Sequence, residues 1–198
     1  AALARAKLAS SGLTAVDATA LRIETLTATR TAALGFKPYP ALKLNYAEIT
    51  GKPSAFYRVR YLGELNGFDA LAKKPPRYVQ PPGTAPEVYF PTSFRWGTIA
   101  KDPARAVFIT EGELKAAAAT KLGYPTLGLG GVWSWRSTAR RVSFLPALAA
   151  IAWEGRLTYI VFDSDFATNP DVMSALTALA KELTVHGARV AIVTLPNV

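Results

Sequence analysis

The second half of the sequence alternates short apolar runs with helix-forming segments, and this alternation restricts the possible folds more than any other feature. Four runs have the length and composition of buried strands: residues 106–110, 126–129, 158–162 and 189–195. Helix-forming segments separate them at residues 113–122, 144–153 and 170–186. Strands that alternate with helices pair in parallel through right-handed crossovers. The pattern therefore predicts an α/β fold in which helices flank a parallel sheet.

The positive charge of the chain lies almost wholly in its first half. Residues 1–105 carry 15 Lys/Arg and 7 Asp/Glu, whereas residues 106–198 carry 8 and 7. A concentration of positive charge on one module is typical of proteins that bind a polyanion, although solvated lysines and arginines are also common. We therefore predict a small basic α+β subdomain for nucleic-acid binding, residues 1–104, followed by a separate α/β domain, residues 105–198.

Local patterns in the basic half predict short elements. One helix is expected over residues 3–10, and a second begins at Thr14, which can form a capping box with Asp17. Residues 24–40 are predicted to form loop or edge structure. Two strands are predicted after them, at residues 55–62 and 87–90. In the first of these strands, Arg58 and Arg60 project from the same face because side chains alternate.

Two of the predicted strands in the second half end in acidic residues. Residues 106–110 lead into Glu111, and residues 158–162 lead into Asp163 and Asp165. Ligands of open parallel sheets bind beyond the carboxyl ends of the strands, so these acids converge if the two strands are neighbours. Clustered carboxylates repel one another unless a cation offsets them, and oxygen ligands suit Mg²⁺ or Mn²⁺. The alternative is that the acids only cap helices and bind no metal.

Three residues adjoin this predicted site. Lys115 lies one helical turn after Glu111 and is a candidate for contacting phosphate, or else is a solvated helix lysine. Gly112 permits a sharp backbone turn beside the acids. Gly130 follows the run at residues 126–129, in a glycine-rich segment that matches neither a Walker loop nor a dinucleotide-binding motif.

The loop that follows is rich in aromatic and basic residues. Trp133 and Trp135 are candidates for base stacking or for ordinary packing. Arg136, Arg140 and Arg141 form a local basic group that either contacts phosphate or is solvated.

These motifs resemble the Toprim domain, the metal-binding fold of bacterial-type primases, topoisomerases and certain nucleases. The resemblance covers about residues 105–195 and rests on three motifs: VFITEGELKAA (Val107–Ala117), LGLGG (Leu127–Gly131) and YIVFDSD (Tyr159–Asp165). It implies that Glu111 is a catalytic acid/base or metal ligand. It also implies that Asp163 and Asp165 bind divalent ions.

The first half extends the resemblance to the basic subdomain that precedes Toprim in bacterial-type primases. The matching segments are FYRVRYL (Phe56–Leu62), PPRYVQPPGT (Pro75–Thr84) and VYFP (Val88–Pro91). The likeness is closest to the Toprim-like domains of phage, plasmid and mobile-element replication proteins, which are often fused to a helicase. In primases this subdomain guides template and product strands, which implies nucleic-acid contacts by Arg58, Arg60, Lys73, Lys74, Arg77 and Tyr78.

The function that the resemblance implies is DNA primase-type nucleotidyl transfer. Its expected cofactor is Mg²⁺ or Mn²⁺, and its expected partners are single-stranded DNA, nucleoside triphosphates and a helicase domain or protein. One alternative is a Toprim nuclease that cleaves phosphodiesters. The other is a non-catalytic module that binds single-stranded nucleic acid.

Several function classes are excluded by composition. The chain has no cysteine, which excludes a thiol nucleophile and the zinc-binding template module of primases within this sequence, and fits a cytoplasmic protein. Its apolar stretches are too short to span a bilayer, so we expect no membrane partner. Because the chain starts at Ala1 and stops just after a β run, we expect a fragment. The resemblance to Toprim implies further acidic residues after the last β run, beyond Val198.

Overall fold

The structure, a computed structural model, describes residues 1–65, 75–163 and 169–194. Three of the predicted functional residues lie outside these ranges: Lys73, Lys74 and Asp165. The roles assigned to these three side chains stay predictions.

Contacts between residues divide the chain into two compact units. The first comprises Ala1–Tyr46 and Pro53–Thr84, and the second comprises Ala47–Lys52 and Ala85–Val198. This division differs from the predicted boundary after residue 104, since residues 85–104 belong to the second unit. The reason is that the strand at Val88–Tyr89 pairs with the sheet of that unit.

Within the described residues, the first unit combines short helices with a four-stranded sheet. The helices are α1 (Ala2–Ser10), α2 (Ala15–Ala20) and α3 (Ala28–Ala33). The strands are β1 (Ile23–Leu26), β2 (Ala41–Ala47), β3 (Pro53–Tyr61) and β4 (Tyr78–Val79), in the order β1-β2-β3-β4. The sheet therefore places β3, with its two arginines, between β2 and β4.

Capping explains both a correct and an incorrect prediction in this unit. The capping box is confirmed, because the Thr14 hydroxyl accepts from the Asp17 N–H and Asp17 accepts from the Thr14 N–H. The prediction that residues 24–40 form only loop or edge structure is wrong. They contain the edge strand β1 and helix α3, whose first turn is capped by Thr27 accepting from the Arg30 N–H at 3.2 Å.

The second unit is a mostly parallel α/β sheet, which confirms the predicted fold class. Its described helices are α4 (Trp96–Ile99), α5 (Glu113–Lys121), α6 (Pro146–Ala149) and α7 (Pro170–Val185). Its described strands are β5 (Val88–Tyr89), β6 (Val107–Glu111), β7 (Thr126–Leu129), β8 (Leu157–Val161) and β9 (Arg189–Ile192). The order is β5-β7-β6-β8-β9. Only β5 runs antiparallel among these strands, against β7.

The predicted helix over residues 144–153 is shorter in the structure, where α6 covers only Pro146–Ala149. The chain leaves the helix because its next groups bond elsewhere. The Ala152 N–H donates to the Ala100 carbonyl at 2.8 Å, and the Trp153 indole donates to the Leu148 carbonyl at 2.8 Å. Among the helices of the described ranges, none has the length and hydrophobicity of a membrane span.

The core of the second unit lies between α7 and one face of the sheet. Its strand residues alternate along β6 and β8, and its helix residues recur at intervals of three and four: Val107, Ile109, Ile160, Val172, Leu176, Leu179 and Leu183. Helix α7 begins at Pro170, where a missing N–H costs nothing, and Gly187 follows its end with φ 88°. Burial of this stripe fixes the register of the central strands.

A fully buried arginine ties together the segments that enter β6 and β8. The Arg156 side chain has no exposed surface, and burial lowers the pKa of its guanidinium while nearby Asp102 raises it. Its N–H groups donate, at 2.7–3.0 Å, to four backbone carbonyls: Ala152, Arg105, Ile99 and Ala100. Sequence patterns did not single out this residue, because nothing local distinguishes it from a surface arginine.

We expect Arg156→Met to lower the free energy of unfolding of the second unit by about 3 kcal/mol or more, because buried carbonyls lose charge-assisted donors. All four tryptophans, at 96, 133, 135 and 153, lie in this unit, so tryptophan fluorescence during urea unfolding measures it. The control is Arg189→Met, at an exposed position of β9, which should change the urea midpoint of unfolding little. Equal midpoints for the two variants would contradict the role given to Arg156.

Candidate metal centre and nucleic-acid interface

Parallel pairing brings two predicted acidic residues to the same edge of the second sheet. Strands β6 and β8 are direct neighbours, with Thr110 opposite Val161. Glu111 is the last residue of β6, and Asp163 follows the end of β8 by two residues. The condition on which the predicted convergence of these acids depended, that the two strands are neighbours, is therefore met. Both acids are partly exposed, as a ligand-binding group must be.

Lys115 is part of this acidic edge. Its ammonium group donates to Oδ1 of Asp163, and each side chain is 49% exposed. Helix α5 places Lys115 one turn beyond Glu111, so the lysine turns toward the end of β8. An exposed pair of this kind contributes little to stability, about 0–1 kcal/mol. Its significance is chemical, because it shows that the edge accommodates a cation against Asp163.

A glycine makes the turn between β6 and α5 possible. Gly112 has φ 90°, a left-handed conformation that other residues adopt only with strain. Its N–H donates to the Leu129 carbonyl of β7 at 2.7 Å, which ties the turn to the sheet. Gly130 follows Leu129, the residue paired with Glu111. Gly112 and Gly130 thus lie at the edge where sequence reasoning placed them.

Gly128 of β7 also lies close to this turn and to helix α5, which sequence patterns did not reveal. A Cβ at this position would lie 3.2 Å from the Gly112 carbonyl oxygen and 3.2 Å from Cβ of Ala116. Helix α5 therefore packs closely on β7, and a side chain at Gly128 would require α5 or the turn at Gly112 to shift by a few tenths of an ångström. The sequence signal was the glycine-rich run itself, which did not distinguish Gly128 from Gly130.

A buried carboxyl group lies under the acidic edge. Glu113, in the first turn of α5, has no exposed surface, and Tyr89 of β5 is also buried. Burial, and to a lesser degree the charge of Glu113, raises the pKa of the Tyr89 hydroxyl well above its usual value. Tyr89 therefore stays neutral over the physiological range. These two residues are outside the predicted site set, and Glu113 shares the EGE segment with Glu111.

The donor set at this edge is suited in part to a divalent cation. Glu111 and Asp163 offer carboxylate oxygens, the ligands that Mg²⁺ and Mn²⁺ prefer. In the described part of the chain, no three His, Cys, Asp or Glu side chains are grouped closely enough to form a metal site. The third predicted ligand, Asp165, lies outside that part. The Lys115 ammonium occupies the position of a counter-cation to Asp163.

Replacing Lys115 by Gln should tighten binding of Mn²⁺ several-fold. The substitution removes the repulsion between the lysine ammonium and the bound ion, which amounts to about 1 kcal/mol. Calorimetric titration with Mn²⁺ at low ionic strength measures this change. Lys181→Gln, on the exposed face of α7, is the charge-matched control. Unchanged Mn²⁺ binding in Lys115→Gln would show that the ion does not bind beside Asp163.

The loop between β7 and α6 adds an aromatic and basic group at the same edge. The guanidinium of Arg136 lies 4.2 Å from the ring centre of Trp133 and 5.2 Å from that of Trp135. The Trp133 indole donates to Oδ1 of Asp171, in the first turn of α7, at 3.0 Å. Trp135 is buried and belongs to the core, whereas Trp133 is only partly buried. Packing thus accounts for Trp135.

In the first unit, the structure joins three of the predicted nucleic-acid ligands, hereafter the arginine–tyrosine cluster: Arg58, Arg60 and Tyr78. Strands β3 and β4 pair so that Arg60 lies opposite Tyr78. The guanidinium carbons of Arg58 and Arg60 lie 5.0 and 5.5 Å from the ring centre of Tyr78. The predicted common face of the two arginines is confirmed.

Two further contacts define the surroundings of the cluster. Val59 and Tyr61, which alternate with the arginines, are buried in the core of the first unit. The Arg77 guanidinium donates to the Gly63 carbonyl, so this predicted ligand also ties the chain around β4. The cluster therefore places two cations of β3 beside an aromatic ring of β4.

We expect Arg58→Gln/Arg60→Gln to weaken binding of single-stranded DNA and to lower the slope of log Kd against log salt by about 1.4, or about 0.7 for each lost phosphate contact. Fluorescence anisotropy of a labelled oligonucleotide over a salt series measures the slope. Arg5→Gln/Lys7→Gln, on α1, removes the same charge elsewhere in the first unit. If both double variants have the same slope, the arginine–tyrosine cluster is not a phosphate-binding site.

Comparison with known proteins identifies the family. Residues 95–198 match the family described as a domain of unknown function, DUF3854. Since the match spans slightly more than half of the sequence, the chain belongs to the DUF3854 family. The matched range includes Glu111, Lys115 and Asp163 but not the arginine–tyrosine cluster. Searches of curated proteins and of solved structures gave no significant match.

Proposed function

We propose that this protein is a divalent-metal-dependent nucleotidyltransferase that synthesises primers on single-stranded DNA. The observation that carries the proposal is the parallel pairing of β6 with β8, which places Glu111 and Asp163 at one edge of the sheet with Lys115 beside them. The resemblance of the motifs around these residues to the Toprim domain supports the reaction class. The proposal includes nucleoside triphosphates as substrates and a helicase domain or protein as partner.

The acidic edge would hold Mg²⁺ or Mn²⁺ through Glu111, Asp163 and Asp165. Such ions offset the charge on phosphate oxygens and favour ionisation of an attacking hydroxyl. Glu111, at the end of a rigid strand, is the candidate acid/base. Lys115 would exchange its contact with Asp163 for a contact with the phosphates of the incoming nucleotide, because its side chain is half-exposed at this edge.

The arginine–tyrosine cluster is the proposed contact with the DNA strand. Two guanidinium groups can bind successive phosphates, and the Tyr78 ring that they flank adds a surface for stacking. In the second unit, Trp133 and Arg136 offer a similar pairing of ring and cation. A strand without base pairs suits such groups because its bases are available for stacking.

A specific observation favours one alternative, a non-catalytic module that binds single-stranded nucleic acid. Lys115 donates to Asp163, so one carboxylate of the acidic edge has a cationic partner within the protein itself. A Toprim nuclease would use the same edge and differs in its products. Both alternatives therefore become separate outcomes of one experiment.

Asp163→Asn should weaken Mn²⁺ binding about tenfold or more, since one charged oxygen ligand is lost, and should abolish primer synthesis. Calorimetry measures the first effect, and gel analysis of labelled products from nucleotides and a circular single-stranded template measures the second. Glu154→Gln, an exposed residue on the segment entering β8, is the matched control and should retain both properties.

The products separate the three functions. New oligonucleotides that the wild type makes and Asp163→Asn does not make support nucleotidyl transfer. Metal-dependent shortening of the template indicates the nuclease. Intact DNA binding without metal binding or turnover indicates the non-catalytic module. Primer synthesis that persists in Asp163→Asn would overturn the proposed site.

A further inference from the structure

A cavity of about 750 Å³ lies in the second unit, away from the acidic edge. Its walls come from the turn at residues 49–51, the segment at residues 92–101 and Ala150. Pockets that hold small ligands have volumes of roughly 300–1,000 Å³, so this cavity has room for a molecule of nucleotide size. No function considered above uses it.

The cavity is positively charged. Arg95 and Lys101 line it, and both side chains are exposed. Within the described ranges neither side chain forms an ion pair or hydrogen bond, and no acidic residue lines the cavity. Two cations without carboxylate partners favour an anionic ligand.

The remaining lining is partly apolar and partly hydroxylated. Phe94 is half-buried at the wall and packs on the core of the unit, as does Ile49 in the turn. Thr98 contributes an exposed hydroxyl group that can donate or accept a hydrogen bond, whereas the Thr50 hydroxyl already donates to Glu48 at 3.2 Å. An aromatic ring, two cations and a hydroxyl group together match a ligand that carries a flat base, a sugar and phosphate.

The cavity wall is held in place by the buried network around Arg156. The guanidinium of Arg156 binds the carbonyls of Ile99 and Ala100 at 3.0 Å, directly behind the lining residues. The indole of Trp96, another lining residue, donates to the Pro91 carbonyl at 2.9 Å. The cavity is thus preformed, which lowers the entropic cost of binding.

The cavity lies at the opposite end of the sheet from the acidic edge. Residues 92–101 precede β6, and Ala150 precedes β8, so both enter the amino ends of these parallel strands. Glu111 and Asp163 follow the carboxyl ends. The five residues of β6 separate the two ends by about 16 Å, at about 3.3 Å per residue. One nucleotide cannot contact both places with its phosphates.

We propose that this cavity is a second binding site, for a nucleoside phosphate, with Arg95 and Lys101 on the phosphates and Phe94 against the base. The site is independent of the proposed catalytic edge and needs no metal ion. The same chemistry is offered by a free nucleotide and by the phosphorylated end of a strand. The two sources are separated by testing ATP and a 5′-phosphorylated oligothymidylate in parallel.

Calorimetric titration of the whole chain in EDTA tests the site, with ATP, tripolyphosphate and the phosphorylated oligothymidylate as probes. ATP, the oligothymidylate or both should bind, and Arg95→Gln/Lys101→Gln should weaken that binding about tenfold or more, as expected for two lost charge-assisted contacts. Arg189→Gln/Lys181→Gln removes the same charge from exposed positions and should bind like the wild type. Asp163→Asn should also bind normally, whatever its effect on primer synthesis.

Phe94→Leu tests the assignment of the base. It keeps an apolar side chain at the wall but removes the ring, so ATP affinity should fall several-fold while tripolyphosphate affinity stays the same. Equal binding of ATP and tripolyphosphate by the wild type, with no effect of Phe94→Leu, would overturn the nucleoside phosphate assignment. Failure of every nucleotide probe to bind in EDTA, or equal affinities in the two double variants, would overturn the site.

Discussion

The parallel pairing of β6 with β8 determines what each end of the second sheet can do. Because both strands run in the same direction, the residues that follow them meet at one edge and the residues that precede them meet at the other. Glu111 and Asp163 therefore share the carboxyl edge. The segments entering the strands form the wall of the cationic cavity. A register shift of one residue would turn the buried side chains of β6 away from α7, which is why this pairing is strongly fixed.

The cations of this basic chain have very different environments, and the environment decides the role of each. Arg156 is buried and bonded to four carbonyls, so it is structural. Lys115 pairs with one carboxylate at the candidate metal centre. Arg58 and Arg60 of β3 lie near the ring of Tyr78 on the paired strand β4. Net charge does not distinguish these cations, and only their contacts separate a structural arginine from cations at the candidate sites.

Local sequence patterns predicted the elements whose ends carry their own signals. Helix α7 has Pro170 in its first turn and Gly187 after its end, and the helix was predicted almost to the residue. The capping box at Thr14 was equally informative. The pattern overestimated α6, since Ala152 bonds to the distant Ala100, and it missed α3 in a threonine-rich segment. Long-range hydrogen bonds, and helices whose residues have weak helix propensity, produce no clear hydrophobic period in the sequence.

The sequence by itself determined the α/β class of the second unit and the residues that follow its strands. Apolar runs of strand length, separated by helices, restrict the chain to a layered parallel arrangement, and the acids after two of those runs follow directly. Only the tertiary structure decided that β5 joins this sheet antiparallel, that Gly128 lies where α5 packs closely on β7, and that Lys115 turns to Asp163. It also created the cavity beside Arg95, because its walls come from segments far apart in the chain. Such contacts depend on packing between distant residues, which no local pattern encodes.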